Sequence, residues 1–170
     1  LVTGDLLTAE VEGTITNVGT ADNVVTSYKV MRGTDDVTGN YTFGDSVKGT
    51  LEVTKRPVTL TSGSDSKVYD GTALTNGNVT VGGDSWATGE GATYDVTGSQ
   101  LDVGFSNNTF TYTLNEGTLA ANYDITKTEG TLTVTPILTE IVITADSDDK
   151  VYDGSALEDS GYTFTPDILV

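Results

Sequence analysis

Histidine and cysteine are both absent from this chain, which has only three prolines, one methionine and one tryptophan. Without an imidazole base or a thiolate, it lacks the groups on which most nucleophilic and acid–base mechanisms rest. It also lacks the nitrogen and sulfur ligands of zinc, haem and iron–sulfur sites. Basic residues are scarce: 8 Lys and Arg stand against 25 Asp and Glu, a formal net charge of −17. Such a field repels phosphate backbones and anionic lipid heads, so neither nucleic acid nor membrane is an expected partner of this segment. No apolar run approaches the roughly 18 residues a spanning helix needs. The lack of Cys means that no disulfide argues for an oxidising compartment. Leu1 opens directly on a strand-like segment, and the chain therefore reads as a piece of something longer, with its signal peptide and anchor elsewhere.

What is plentiful is threonine, nearly a fifth of the 170 residues, together with 20 glycines. β-branched residues suit half-buried pleated surfaces and glycines suit tight turns, so strands are favoured over helices. Side chains alternate with period two in Leu51-Glu52-Val53-Thr54, Val58-Thr59-Leu60-Thr61, Thr111-Tyr112-Thr113-Leu114, Thr131-Leu132-Thr133-Val134-Thr135 and Ile141-Val142-Ile143-Thr144. Turn clusters separate such runs at Thr34-Asp35-Asp36, Thr75-Asn76-Gly77-Asn78, Gly82-Gly83-Asp84 and Asn115-Glu116-Gly117. This spacing predicts an antiparallel sandwich or barrel.

Internal repetition is the strongest signal. Lys67-Val68-Tyr69-Asp70-Gly71-Thr72-Ala73-Leu74 returns 83 positions on as Lys150-Val151-Tyr152-Asp153-Gly154-Ser155-Ala156-Leu157. Gly49-Thr50-Leu51-Glu52-Val53-Thr54 returns as Gly130-Thr131-Leu132-Thr133-Val134-Thr135, each copy preceded by an Asn-Tyr pair, Asn40-Tyr41 and Asn122-Tyr123. The unit therefore has a head and a tail. Residues 1–55 carry the C-terminal part of one unit, 56–136 a complete unit, and 137–170 the N-terminal part of another. Leu1-Val2 also recurs as Leu169-Val170. If the sequence wraps there, Thr3-Gly4-Asp5 falls 83 places after Thr88-Gly89-Glu90, Val103-Gly104 matches Val18-Gly19, Asn108 matches Asn23, and Asp84 matches Asp167. The expectation is a tandem array, with a double-unit period of 168 residues on this register.

Lys-Val-Tyr-Asp-Gly-[Thr/Ser]-Ala-Leu, then Asn-Tyr-x-[Ile/Phe], then Gly-Thr-Leu-x-Val-Thr, resembles the YDG and MBG repeat modules across essentially the whole chain. The resemblance implies mostly-β extracellular modules of large bacterial surface proteins, often adhesin-like, stacked as a stalk at the cell surface. It names no catalytic residues. The expected fold class is all-β, with tandem Ig-like β-sandwich modules of about 83 residues joined at Thr54-Lys55-Arg56-Pro57 and Thr135-Pro136-Ile137, where proline stiffens the connection. A β-grasp-like module is the alternative.

Four features invite a functional reading. Tyr69-Asp70-Gly71 and Tyr152-Asp153-Gly154 are expected to be turns: Asp accepts a backbone hydrogen bond, Gly takes the left-handed conformation, and the preceding Val-Tyr pair sends one side chain inward. Asp146, Asp148 and Asp149 place three hard ligands in four positions, a weak calcium candidate. The equivalent 63–67 stretch keeps one carboxylate and no twelve-residue calcium loop is present, so a solvated acidic loop is the favoured reading and no cofactor is expected. Paired carboxylates suit glycosidases, yet the acids are scattered and aromatics are few, so the chain reads as no enzyme. Lysine-to-carboxylate or lysine-to-Asn amide crosslinks need a buried lysine, whereas these lysines lie in turns and near strand ends. The partners expected are neighbouring repeat units of the same or an adjacent chain, with any host ligand taken by other domains. The function expected is a stalk that projects a distal binding domain; the alternative is repeats that themselves bind a host glycan or protein, or assemble laterally into fibres.

Overall fold

The computed structural model describes residues 1–166; the sequence matches at Asp167 and at Leu169-Val170 lie outside the described residues. The described chain is all-β. In chain order it forms β1 (Asp5–Glu12), β2 (Gly19–Arg32), β3 (Asp35–Asp36), β4 (Gly49–Val53), β5 (Arg56–Ser62), β6 (Asp65–Val68) and β7 (Val79–Gly83). There follow β8 (Ala92–Val96), β9 (Gly104–Asn108), β10 (Phe110–Leu114), β11 (Tyr123–Thr128), β12 (Gly130–Thr135), β13 (Val142–Ala145) and β14 (Tyr162–Thr165). Two single-turn 3-10 segments, Thr38–Asn40 and Ala120–Asn122, are the only helical pieces among the described residues.

Two compact units emerge. Of the described residues, the first gathers 1–61, 79–95 and 111–128; the second gathers 62–78, 96–110 and 129–166. The 56–136 stretch thus contributes to both.

In the first unit, β2 pairs antiparallel with β1, β3 and β4. A register shift at Glu10/Val11 bends the long β1–β2 ribbon. A second sheet runs β11-β5-β7, with β11 parallel to β5. Strand β5 alternates as the sequence requires: Val58 and Leu60 are fully buried while Thr59 and Thr61 are only partly so. Tyr123 at the start of β11 is buried as well.

In the second unit, β12 is central, antiparallel to β9 and parallel to β6. Leu132 and Val134 point inward and cluster with Leu74. Gly130 is required by close approach, since a Cβ there would lie 2.5 Å from the Ser62 carbonyl oxygen and 2.7 Å from the Gly63 carbonyl carbon. Buried Asn108 ties three segments together, its Nδ2 donating to the carbonyls of Gly63 (2.9 Å) and Asn76 (2.8 Å) while its own carbonyl accepts the Ser62 hydroxyl (2.5 Å). Strands β13 and β14 form a separate antiparallel ribbon whose side chains are all exposed.

Three expectations need correction. The pairing is mixed rather than antiparallel throughout, because β5–β11 and β6–β12 are parallel. Turn clusters speak only for neighbours in sequence, whereas parallel partners are joined by long crossovers that leave no local mark. Asp35 and Asp36 lie in a strand, with Gly33-Thr34 alone making the turn, and Gly82-Gly83 close β7 rather than form a loop.

The repeat register is visible in the backbone. Gly49 faces Asn23 and Val53 faces Gly19 across β4–β2, as Gly130 faces Asn108 and Val134 faces Gly104 across β12–β9. Gly19 and Gly104 even share a φ near +145°, at 146° and 143°.

Candidate functional site

The Lys-Val-Tyr-Asp-Gly segment folds into a turn locked by its own lysine. Asp70 Oδ1 accepts the Thr72 backbone N–H (2.9 Å), the Thr72 hydroxyl (2.8 Å) and the Lys67 ammonium (2.7 Å), and Lys67 Nζ also donates to the Thr72 carbonyl (2.5 Å). Gly71 occupies the left-handed region at φ 77°, where a Cβ is disfavoured. The second copy repeats the arrangement: Asp153 Oδ1 accepts the Ser155 N–H (2.9 Å), the Ser155 hydroxyl (2.7 Å) and Lys150 Nζ (3.0 Å), and Gly154 sits at φ 83°. The first turn follows strand β6 and is tied by the Tyr69 N–H to the Thr135 carbonyl (2.8 Å). The second has no strand before it. The same local bonds in both surroundings show that the turn is encoded by its own seven or so residues.

The Lys67 ammonium, followed by the Thr72 donors, holds the Asp70 carboxyl down at about 2. For Asp153 the Ser155 N–H and hydroxyl lead, with Lys150 behind them, and the value is again about 2. Val68 and Tyr69 are both substantially exposed, which corrects the expectation of an inward side chain; Lys67 is the partly covered residue of the motif. Its role was missed because an isolated lysine near a strand end reads as solvated.

The Asn-Tyr pair, noticed in sequence only as a repeat marker, has two functions. Tyr123 OH accepts the Ala87 N–H (3.1 Å) and donates to Glu90 (2.7 Å), and the Trp86 ring meets the Tyr123 ring edge-on at 4.9 Å. Burial pushes the Tyr123 phenol above its usual range, with the Glu90 carboxylate adding to the shift. Tyr41 does the same one repeat earlier, accepting the Val2 N–H (3.0 Å) and donating to Asp5 (2.6 Å). There Arg32 joins in, and its guanidinium, then the Tyr41 hydroxyl, lowers the Asp5 carboxyl below the usual carboxylate range. The equivalence of Asp5 with Glu90 in the wrapped register was the available signal.

Asn122 does the second job. Its Oδ1 accepts the Val18 N–H (2.9 Å) and its Nδ2 donates to Asn17 Oδ1 (3.0 Å), so the residue before β11 grips the loop between β1 and β2 within the first compact unit. The two repeats are joined covalently by only Thr54 and Lys55, between β4 and β5. Beside this latch lies an open cleft of about 360 Å³, bounded by Asn17, Val53, Arg56, Glu90 and Tyr123. Its charged groups are committed to the fold: Glu90 takes the Tyr123 hydroxyl, and Arg56 donates to the carbonyls of Ser85 (2.7 Å) and Asp84.

Asp146, Asp148 and Asp149 are not brought into a common cluster. Asp148 Oδ1 instead accepts the Asp149 N–H (2.8 Å), and among the described residues no group of three carboxylates is placed to hold a metal. No described helix is long and apolar enough to cross a membrane.

No curated protein and no solved structure matches the chain. Residues 54–130 match the family model of the YDG domain. That match begins just before β5 and ends at the first residue of β12, taking in the locked turn, the Tyr123 anchor and the Asn122 latch. The chain therefore contains a YDG-type module at residues 54–130.

Proposed function

We propose that this chain is a segment of structural spacer repeats, belonging to a large bacterial surface adhesin or fibre and projecting a distal binding domain outside the cell. The observation that carries this reading is the Asn122 latch on Asn17 and Val18, a contact from one repeat to the preceding repeat over a connection too short to hinge freely. A spacer needs repeats that resist bending, and a side-chain amide fixing the preceding repeat's loop supplies that. The lock of each Lys-Tyr-Asp-Gly turn serves the same end, since it uses local bonds alone and works in every copy. The protein on this reading is not an enzyme, and its polar networks hold the backbone. The test is solution scattering on concatenated copies of 54–136, together with a glycan array on the same material. The reading expects the maximum dimension to grow linearly with copy number and the array to stay silent. A dimension rising with the square root of copy number, or a saturable glycan, would overturn it.

A further inference from the structure

Of the nine asparagines in the sequence, Asn76 alone is followed by glycine. The residues that follow the other eight all carry side chains, which crowd the backbone nitrogen behind them. An asparagine amide is labile because the nitrogen of the next residue can attack its side-chain carbonyl carbon, and a glycine in that next position removes the main obstruction. The fold itself does not require glycine at 77. Its φ lies outside the left-handed region, and a Cβ there would meet nothing within 4 Å.

The surrounding turn presents the amide for that attack. Residues 75–78 connect Leu74, bridged to Gln100, with strand β7; Gly77 is exposed, and Thr75, Asn76 and Gly77 border an open hollow of about 280 Å³ that solvent reaches. The Asn76 amide lies so close to Gly63 that a Cβ at 63 would stand 2.8 Å from its Oδ1 and Nδ2 and 2.9 Å from its Cγ. Oδ1 accepts the Asn78 N–H at 3.0 Å, so a donor already sits where attack on Cγ builds negative charge. Nδ2, the leaving group, is held by a long 3.4 Å bond to the Ser64 carbonyl. The next copy of the repeat has Asp159 at the matching position, and its Oδ1 accepts the Gly161 N–H (2.8 Å) in the same turn. A carboxylate on an ordinary backbone therefore keeps this turn.

We propose that Asn76 is a site of spontaneous covalent modification, losing its amide through a cyclic imide formed with Gly77. The Gly77 nitrogen bonds to Asn76 Cγ, the Cγ–Nδ2 bond breaks, and Nδ2 leaves as ammonia with the proton that the Gly77 nitrogen gives up. Water then opens the imide, and nothing is oxidised or reduced in either step. Opening at Cγ gives aspartate on an unaltered backbone. Opening at the main-chain carbonyl carbon gives isoaspartate, in which the chain runs through Cβ and Cγ and is one carbon longer. The two products differ in consequence. Aspartate keeps the turn, as Asp159 does. Isoaspartate turns into a free carboxylate the carbonyl that takes Asn108 Nδ2 (2.8 Å). Asn108 is fully buried, its Oδ1 has no hydrogen-bond partner among the described residues, and its Nδ2 also holds the Gly63 carbonyl, so a displaced position 76 strains the network that ties these segments together. This goes beyond the spacer reading and does not rest on it.

The test uses the whole chain, held for weeks at neutral pH and physiological temperature and then mapped by peptide mass spectrometry. Amide loss at Asn76 should exceed that at each of the other eight asparagines at least about ten-fold, with ammonia released to match and both aspartate and isoaspartate found at position 76. Gly77→Ala should slow the loss at least about ten-fold while leaving the thermal transition in place, because its Cβ enters open space. The isoaspartate form, separated by chromatography, should melt below the Asn76→Asp variant, which carries the carboxylate without the longer backbone. An Asn76 amide that survives in the folded chain while the urea-unfolded chain loses it overturns the proposal. So does an undiminished rate in Gly77→Ala, or aspartate as the sole product, which would mean direct hydrolysis with no imide. An isoaspartate form that melts with Asn76→Asp would overturn the consequence drawn for Asn108.

Discussion

Leu51 and Leu132 occupy the same position in two copies of the repeat, each followed two residues later by valine and paired antiparallel with the same kind of neighbour. They differ in what covers them. Leu132 is fully buried against Leu74 and Val134, whereas Leu51 is half-covered at the edge of β4. Leu132→Ala removes three carbons from a packed site and leaves a cavity, so about 3 kcal/mol of stability should be lost. Leu51→Ala removes the same atoms from a site water already reaches, and about 1 kcal/mol or less is expected. Urea unfolding followed by the fluorescence of the single tryptophan, Trp86, at micromolar protein separates the two. With an m value of about 1.5 kcal/mol/M, the midpoint should fall by about 2 M for Leu132→Ala and by well under 1 M for Leu51→Ala. Equal shifts would refute the reasoning, because they would mean that burial in one repeat does not distinguish it from its neighbour.

Three further outcomes follow from the same geometry. Asp70 and Asp153 should titrate near pH 2 by NMR rather than near 3.8. Because the folded value lies below the unfolded one, their contribution is present above about pH 4 and disappears as pH falls toward 2. Lys67→Ala should raise Asp70 more than Lys150→Ala raises Asp153, since lysine is the leading cause only at Asp70; equal responses would count against the lock as described. Gly130→Ala should unfold the complete repeat or cost more than about 3 kcal/mol, because backbone atoms stand 2.5–2.7 Å from the new Cβ; Gly49→Ala, whose nearest neighbour is 3.5 Å away, should cost about 1 kcal/mol or less, and thermal melts of the pair decide. Asn122→Ala should leave the melting of the chain within a few degrees while increasing the mobility of the 13–18 loop, read from NMR relaxation; unchanged relaxation would remove the latch.

The strands were legible wherever alternation was clean: 51–54, 58–61, 111–114, 131–135 and 141–144 all fall on β4, β5, β10, β12 and β13 or their edges. The repeat register was legible too, because identical local sequence gives identical turns, as Asp70 and Asp153 demonstrate. Pairing partners were not. The parallel neighbours β5 and β11 are separated by a long crossover, and nothing in Val58 or Ile125 alone says which strand each will meet. The irregular stretches 41–46 and 148–151 include Gly44, Asp45, Asp148 and Asp149, residues of types depleted in strands. Asn122 and Lys67 were visible as residues but not as a latch and a lock, because their acceptors are set by the folded backbone.

The most direct test of the account is amide hydrogen exchange resolved by residue. The claim that the YDG-type module is held by paired strands and by its own local turn bonds predicts that β5, β9, β11 and β12 are protected, while the irregular 41–46 and 148–151 exchange freely. Protection of 41–46 and 148–151 equal to that of β11 and β6 would contradict it.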